Sequence, residues 1–378
     1  MSGSQTPQSL LAMCLAGRVA DVPKSVDWLH LADGAGSLGL SGLVLEALDR
    51  AGLRVHETAY LALREQSTVV AGQNAHITRC FKPIARAFDA AGIPLLLLKG
   101  AALGLTVYRE PRLRPMSDVD CMVRCEHLDQ VCALLKRLGC RRGADLVRRD
   151  FFPRYFNEVE YFTPDRRSVR IDLHVRPFRP LRYAQTVPAD AFWRGAVPAD
   201  LGGAVALMPN PSDMVIHLAV HAAVHGARRP LWLYDIYRFA HVHRDTLDWT
   251  AVIEQADAWR LVLPLRVALQ RVDAMFGPAV PPDVIATLDR RRVGLADRLT
   301  LWHAPRDEAH PMGHLLVDLL CTRGWRFRLG YLAAVLLPGR PHLESIYAGR
   351  HPGWTLCAHA CRVMRAIRRA LGLRVDTA

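Results

Sequence analysis

The hydrophobic period of this chain changes twice, and those changes confine a sheet to its middle. Upstream of Ala91, apolar residues recur at three- and four-residue spacing over residues 40–51, 59–66 and 73–91, the mark of amphipathic helices. Ser41 is placed to cap the first of these and Gly92 to stop the last. Residues 93–98, Ile-Pro followed by four leucines, then form an unbroken apolar run with glycines close by on either side, as a short strand buried on both faces requires. Residues 118–123 alternate apolar and polar, as do 158–163 and 169–175 around the turn at 164–167, so three further strands are expected. Helices are predicted over 101–108 and over 126–138, the second ended by Gly139. Helical spacing returns over 212–224, 232–243, 249–258 and 261–275, with an arginine-studded helix expected over 355–371. The expected class is α+β. A small mixed β-sheet core over residues 92–207 is flanked by an N-terminal helical region, 1–91, and a C-terminal helical region, 208–378.

Composition removes several alternatives. The chain has 378 residues, 51% of them hydrophobic, enough for substantial cores and too apolar for a disordered protein. Its net charge is +13, yet only four of its 49 basic residues are lysine, Lys24, Lys82, Lys99 and Lys136. With so much Ala, Gly and Pro beside it, that arginine bias reads as a coding background. The positive surface favours phosphate-bearing partners without choosing among them. The nine cysteines contain no CxxC pair; Cys121/Cys125 and Cys357/Cys361 are four apart but lack the second pair of a zinc site. Apolar runs such as 94–98 and 331–337 fall far short of the roughly 20 residues a bilayer-spanning helix needs. The short apolar stretch 10–15 has no basic region ahead of it. A soluble, cytoplasmic protein with no transmembrane segment is expected.

Three short motifs carry chemistry. In Arg114-Pro115-Met116-Ser117-Asp118-Val119-Asp120, the two aspartates lie two apart on a strand and share one face. Alone, such a pair is more often a solvated strand end than a metal site. In Arg170-Ile171-Asp172-Leu173-His174, a third carboxylate and a histidine share a strand face in the same way. Hard divalent cations take oxygen ligands, so three carboxylates on adjacent strands suit Mg²⁺. Third, Lys99-Gly100 links a buried strand to a helix, where backbone N–H groups attract anions and glycine permits close approach. Arg112 and Arg114 precede the acidic strand within reach of a phosphate. His217, His221 and His225 stripe one helix at four-residue intervals. With no carboxylate at metalloprotease spacing inside the run, they read as core or groove histidines. His221 is placed to meet a second substrate, and Asp235 to orient it.

The segment LLLLKGAALGLTVYREPRLRPMSDVDCMV followed by VRIDLHVR resembles an uncharacterised nucleotidyltransferase family within the polymerase-β-like superfamily. That family combines a KG turn, an R-P-x-x-D-x-D strand and a later D-x-H strand. The resemblance extends through Leu231-Trp232-Leu233-Tyr234-Asp235 and residues 337–340 toward Tyr347. It implies a nucleotidyltransferase core that moves a nucleoside monophosphate from an NTP, ATP being the expected one, to an unidentified small-molecule, peptide or protein acceptor, with release of pyrophosphate. Asp118, Asp120 and Asp172 would hold Mg²⁺ or Mn²⁺ and carry catalysis. Lys99, Gly100, Ala101, Arg114 and Ser117 would surround the nucleotide, while His174, His221 and Asp235 would lie on the acceptor side. Better-known superfamily members carry Gly-Ser or Gly-Gly at the phosphate turn. Here the pair is Gly100-Ala101, with a longer gap to Asp118, so backbone N–H groups or Lys99 must replace a hydroxyl. A tRNA-modifying or toxin-type transferase is the first alternative, with nucleic acid a less favoured partner. A non-catalytic nucleotide-binding scaffold is the second; it would leave three acidic groups clustered without a cation, and these repel one another. The basic tail (Arg362, Arg365, Arg368, Arg369) is expected to be a solvated surface helix.

Overall fold

The computed structural model describes residues 6–23, 25–143, 151–306 and 311–337. The tail helix expected over 355–371, and the stretch from Pro338 to Tyr347, lie outside them.

Four helices open the chain: α1 (Pro7–Leu15), α2 (Trp28–Ser37), α3 (Ser41–Ala51) and α4 (Glu57–Ala90). Asp27 caps α2 by accepting from the N–H groups of Leu29 and His30, both at 3.0 Å, supplying an acceptor for orphan donors of the first turn. Ser41 does not cap α3 as expected. The cap position is Leu40, and the Ser41 hydroxyl donates instead to Gln66 Oε1 of α4 at 2.6 Å. The two helices predicted over 59–66 and 73–91 are one. Residues between them carry Ser67 and Thr68, whose hydroxyls bond back to the Arg64 carbonyl at 2.9 and 2.8 Å, so polar side chains there do not interrupt the helix. Gly92 takes a φ of +65° and stops it as expected.

The centre of the chain builds a seven-stranded mixed sheet. In chain order come β1 (Leu96–Leu97), α5 (Lys99–Thr106), β2 (Asp118–Met122), α6 (Leu128–Arg137), β3 (Arg141–Arg142), α7 (Phe151–Tyr155), β4 (Glu158–Phe162), β5 (Arg170–His174), α8 (Leu181–Thr186), β6 (Val197–Asp200) and β7 (Val205–Met208). The strand order is β3-β4-β5-β2-β1-β7-β6. β1 and β2 are antiparallel, β2 and β5 parallel, β4 and β5 antiparallel, β1 and β7 parallel. The β6–β7 hairpin and β3 were not legible in the sequence, because all three are short and lack a clear alternation. Val119, Cys121, Ile171 and Leu173 are buried, which leaves the other face of β2 and β5 to the polar residues between them.

The C-terminal region is helical as expected: α9 (Pro211–Val224), α10 (Pro230–Val242), α11 (Trp249–Ala258), α12 (Val262–Phe276), α13 (Pro282–Arg290), α14 (Leu295–His303), α15 (Pro311–Cys321) and α16 (Trp325–Leu336). Asn210 caps α9 by accepting from the Asp213 N–H at 2.9 Å, with Pro211 opening the helix. One apolar cluster runs from Leu10 to Leu288. The three sequence regions therefore share a core, and the α+β plan of a mixed sheet between helical regions holds.

Candidate active site

The register of β2 on β5 decides which acidic residues meet. Asp120 stands opposite Asp172 and Asp118 opposite Arg170. On the far side of β5, β4 places Glu160 opposite Asp172 and Glu158 opposite His174. Neighbouring strands lie about 4.8 Å apart, so one sheet face carries Asp118, Asp120, Arg170, Asp172, His174, Glu158 and Glu160 together. The three expected carboxylates are thus brought to one place by strand pairing alone.

Asp120 is the most enclosed of them, 6% exposed. Lys99 Nζ donates to its Oδ1 at 2.7 Å and His174 Nε2 lies 3.1 Å from the same oxygen. Burial works against its charge, but Lys99 and His174 hold the carboxyl well below the usual range. Burial alone would lower the pKa of the Lys99 ammonium; the facing Asp120, Glu158 and Asp118 outweigh it and leave it raised. Lys99 opens α5 with a φ of +42°, a left-handed backbone that costs a non-glycine residue roughly 1–2 kcal/mol. The Lys99–Asp120 pair is what that conformation delivers. The other nitrogen of His174, Nδ1, sits 3.3 Å from both Asn157 Nδ2 and Glu158 Oε2, so the ring is fixed from both ends.

Asp118 is tied to Arg170 Nη2 and accepts from the Ser117 hydroxyl at 3.1 Å. Arg170 also reaches Glu160 Oε1 and Asp172 Oδ1, each at 3.4 Å. Asp172 is pushed up to about 7, by burial first and by the Asp120 charge second, and the Arg170 contact to its buried Oδ1 is an ion pair without hydrogen-bond geometry. Among the described residues, no three His, Cys, Asp or Glu side chains are gathered tightly enough to hold an ion as they stand. The carboxylates are turned toward Lys99 and Arg170. Their chemistry nonetheless fits a hard divalent cation: all-oxygen donors, one of them under-satisfied, with the acidic groups destabilising one another.

Other expected site residues are placed differently. Arg114 is buried and its guanidinium fork is committed to Asp235, Nε to Oδ1 at 2.9 Å and Nη2 to Oδ2 at 2.8 Å. Asp235 also accepts from the Tyr108 hydroxyl at 2.8 Å. Where a phosphate contact was expected of Arg114, its fork is held by Asp235 instead, and Asp235 bonds Arg114 and Tyr108. Gly100 gives Arg114 its passage, because a Cβ there would collide with Nη1. Ala101 lines a cavity of about 110 Å³ with Ile77, Leu97 and Val119, on the side of β2 opposite the aspartates. Ser117 is a partner of Asp118 rather than a free hydroxyl.

The histidine stripe of α9 does approach the site. His217 is 1% exposed, wedged between the rings of Phe178 and Phe192 at 5.7 and 5.8 Å, and neither ring nitrogen has a hydrogen-bond partner. Burial first, then the charges of Lys99 and His174, push it down to about 3. His221 packs on His225 and Trp232 with ring centroids at 4.9 and 4.4 Å, and burial with the Lys99 charge lowers its pKa too.

Several other residues on this face are legible in the sequence. Glu158 and Glu160 alternate along their strand as Asp118 and Asp120 do, and Arg170 begins the same five residues as Asp172. Asn74 had no such signal. From α4 its side chain donates to the carbonyls of Pro111 and Arg114, both at 2.7 Å, and accepts from the Met116 N–H at 3.0 Å. Gln73 adds a bond to the Met116 carbonyl at 2.7 Å. Together they shape the loop that feeds β2.

The model of a family described as uncharacterised nucleotidyltransferase matches residues 24–277. Among solved structures, the chain is similar to an antigenic nucleotidyltransferase-like protein from Paracoccidioides brasiliensis, at 14% identity and a TM-score of 0.34, over 61% of this chain and 94% of that one. No curated protein matches the chain.

Proposed function

The chain belongs to the uncharacterised nucleotidyltransferase family, and on that premise we propose that it transfers a nucleoside monophosphate from an NTP, ATP in the first instance, to an acceptor, releasing pyrophosphate. The observation that carries this reading is the in-register pairing of Asp120 with Asp172, with Asp118 on the same face. Asp118, Asp120 and Asp172 would hold Mg²⁺ or Mn²⁺, which when bound supplies charge neutralisation at the phosphates and activation of the attacking oxygen.

The chain's own groups then have separate tasks. Lys99 and His174 both address Asp120 Oδ1 and fix that carboxylate's direction. Asn157 and Glu158 hold His174 in turn. Asp172 Oδ1, buried and without a well-formed hydrogen bond beyond its ion pair with Arg170, would receive the proton of an incoming hydroxyl once a cation displaces Arg170. Lys99 and the start of α5 bring positive potential to the side where a triphosphate would lie. Arg170 is the internal counter-ion that binds Asp118 and Asp172 when no divalent cation does.

The test incubates the protein and Mg²⁺ with α-labelled and then γ-labelled ATP in cell lysate and follows label into acceptors. Transfer of the α label, abolished in an Asp118→Asn/Asp120→Asn variant, is the expected result. Label arriving only from the γ position would make the reaction a phosphoryl transfer and end this reading. Among the described residues no helix is long and apolar enough to cross a membrane.

A further inference from the structure

Helices α15 and α16 carry apolar residues on more than one side, and among the described residues only one side of each is covered. Leu315 and Leu319 of α15 and Tyr331 and Ala334 of α16 pack into a small second core with Tyr155 and Leu181. Away from that core, Leu316 and Leu320 are 56% and 67% exposed, and Trp325 and Leu329 are 66% and 57% exposed. Leu336 and Leu337 continue the row to the end of the described chain, still exposed. A helix that is apolar on both sides is ordinarily a buried one.

The exposed leucines of the two helices adjoin. Arg328 folds α16 back on α15: its Nε and Nη2 donate to the Thr322 carbonyl at 3.0 and 2.7 Å, and Nη2 also to the Leu320 carbonyl at 3.2 Å. Leu320 is thereby set beside the turn that carries Trp325 and Leu329. Leu316 and Leu320, like Trp325, Leu329 and Leu336, recur at the four- and seven-residue steps that keep one side of a helix. Soluble chains rarely leave contiguous apolar surface beyond a few hundred Å² without a partner.

The sequence that continues from Leu337 has the matching chemistry. Over residues 355–371, Leu356, Val363, Ile367 and Leu371 recur at four- and seven-residue steps, while Arg362, Arg365 and Arg369 form the opposite set. As a helix this span would be about 25 Å long, against about 18 Å for the 12 residues of α16. The intervening residues 338–354 reach roughly 50 Å when extended, enough to return to either end of the row. Charge fits as well: a cover with apolar residues on one side and arginines on the other replaces an apolar surface by a solvated one.

We propose that residues 355–371 form a helix that lies on this row, with Leu356, Val363, Ile367 and Leu371 inward and the arginines toward water. Burial of apolar surface on both partners drives the association, and a helix of this kind draws most of its stability from packing its apolar face. The tail expected to be a solvated surface helix thus has a seat on the fold. None of the sheet residues takes part, so the inference stands apart from the transfer reaction.

The experiment uses the full chain and the native thiols of the tail, Cys357 and Cys361. A further thiol is introduced by Leu320→Cys or, in a second variant, by Leu329→Cys, each combined with Cys125→Ser to remove an exposed thiol, and a short bismaleimide is added. Both leucines are exposed, so neither substitution threatens the fold. The expected product is a link to Cys357 or Cys361 within one chain, located by peptide mass and unchanged on dilution. Adding Ile367→Glu should slow its formation about tenfold, because a charge on the inward side unseats the helix, whereas a merely tethered tail reacts at the rate its linker sets. No link from either position, or an equal rate in Ile367→Glu, overturns the proposal. Links between chains that vanish on dilution would make a second copy the occupant and overturn it too. So would sedimentation of the chain with phosphatidylserine vesicles that Ile367→Glu abolishes, which would assign the apolar side of the tail to a membrane surface.

Discussion

Arg114, in the loop that enters the acidic strand, grips Asp235 of α10 through a two-pronged pair at 2.9 and 2.8 Å, with both side chains almost removed from solvent. The pair fastens the loop that enters β2 to α10. Removing one partner of such a pair leaves a bare buried charge, at a cost of about 3–5 kcal/mol. Asp235→Ala should show a loss of that size in urea unfolding, while Tyr108→Phe, which removes one bond to the same carboxylate, should lose about 1–2 kcal/mol. A loss below about 1 kcal/mol in Asp235→Ala would mean the pair does not anchor the loop.

Gly100 belongs to the same assembly. A Cβ there would strike the Arg114 guanidinium, whose tip cannot swing away without abandoning Asp235. Gly100→Ala should therefore destabilise the fold by about 1–3 kcal/mol. The penalty should shrink in an Arg114→Ala background, because the two positions are in contact and their effects do not add. Additive losses would assign Gly100 to some other need, such as close approach of phosphate.

Arg170 is paired with Asp118 and Asp172, so on the proposed function it would compete with a divalent cation for them. Replacing it with Gln removes that competitor, so the Mg²⁺ concentration that half-saturates thermal stabilisation in the presence of ATP should fall, by about tenfold if one charge-assisted contact is lost. A rise instead would show that Arg170 supports the bound state rather than opposing it.

Acid should weaken the fold through His217. Its folded-state pKa is depressed to about 3 by burial, against an ordinary value near 6.5, so the unfolded chain takes up the proton first. Stability is full above about pH 6.5 and is lost as pH falls toward the folded value, approaching about 1.4 kcal/mol per pH unit for this one group. His225, also lowered but exposed, contributes less because solvent screens it. In His217→Phe, which suits the Phe178–Phe192 box, the unfolding midpoint should depend less on pH between 4 and 6.5 than in the wild type. An unchanged slope would place the acid sensitivity elsewhere.

Period and punctuation made much of this protein legible in one dimension. The alternation of Asp118, Asp120 and of Arg170, Asp172, His174 determined which face of each strand they occupy, since side-chain direction on a strand follows from sequence spacing alone. Gly92 and Gly139 ended their helices where expected because a left-handed stop needs only a residue without Cβ. What no spacing reveals is which strands become neighbours. The parallel register that sets Asp120 against Asp172, the β6–β7 hairpin beyond β1, and Asn74 holding a loop some forty residues away in sequence depend on long-range pairing. Arg114 shows the same division. Its sequence neighbourhood promised a phosphate ligand, and only the arrival of Asp235 from α10 made it a buried strut, because a fork of donors shut away from water must find its carboxylate inside the fold.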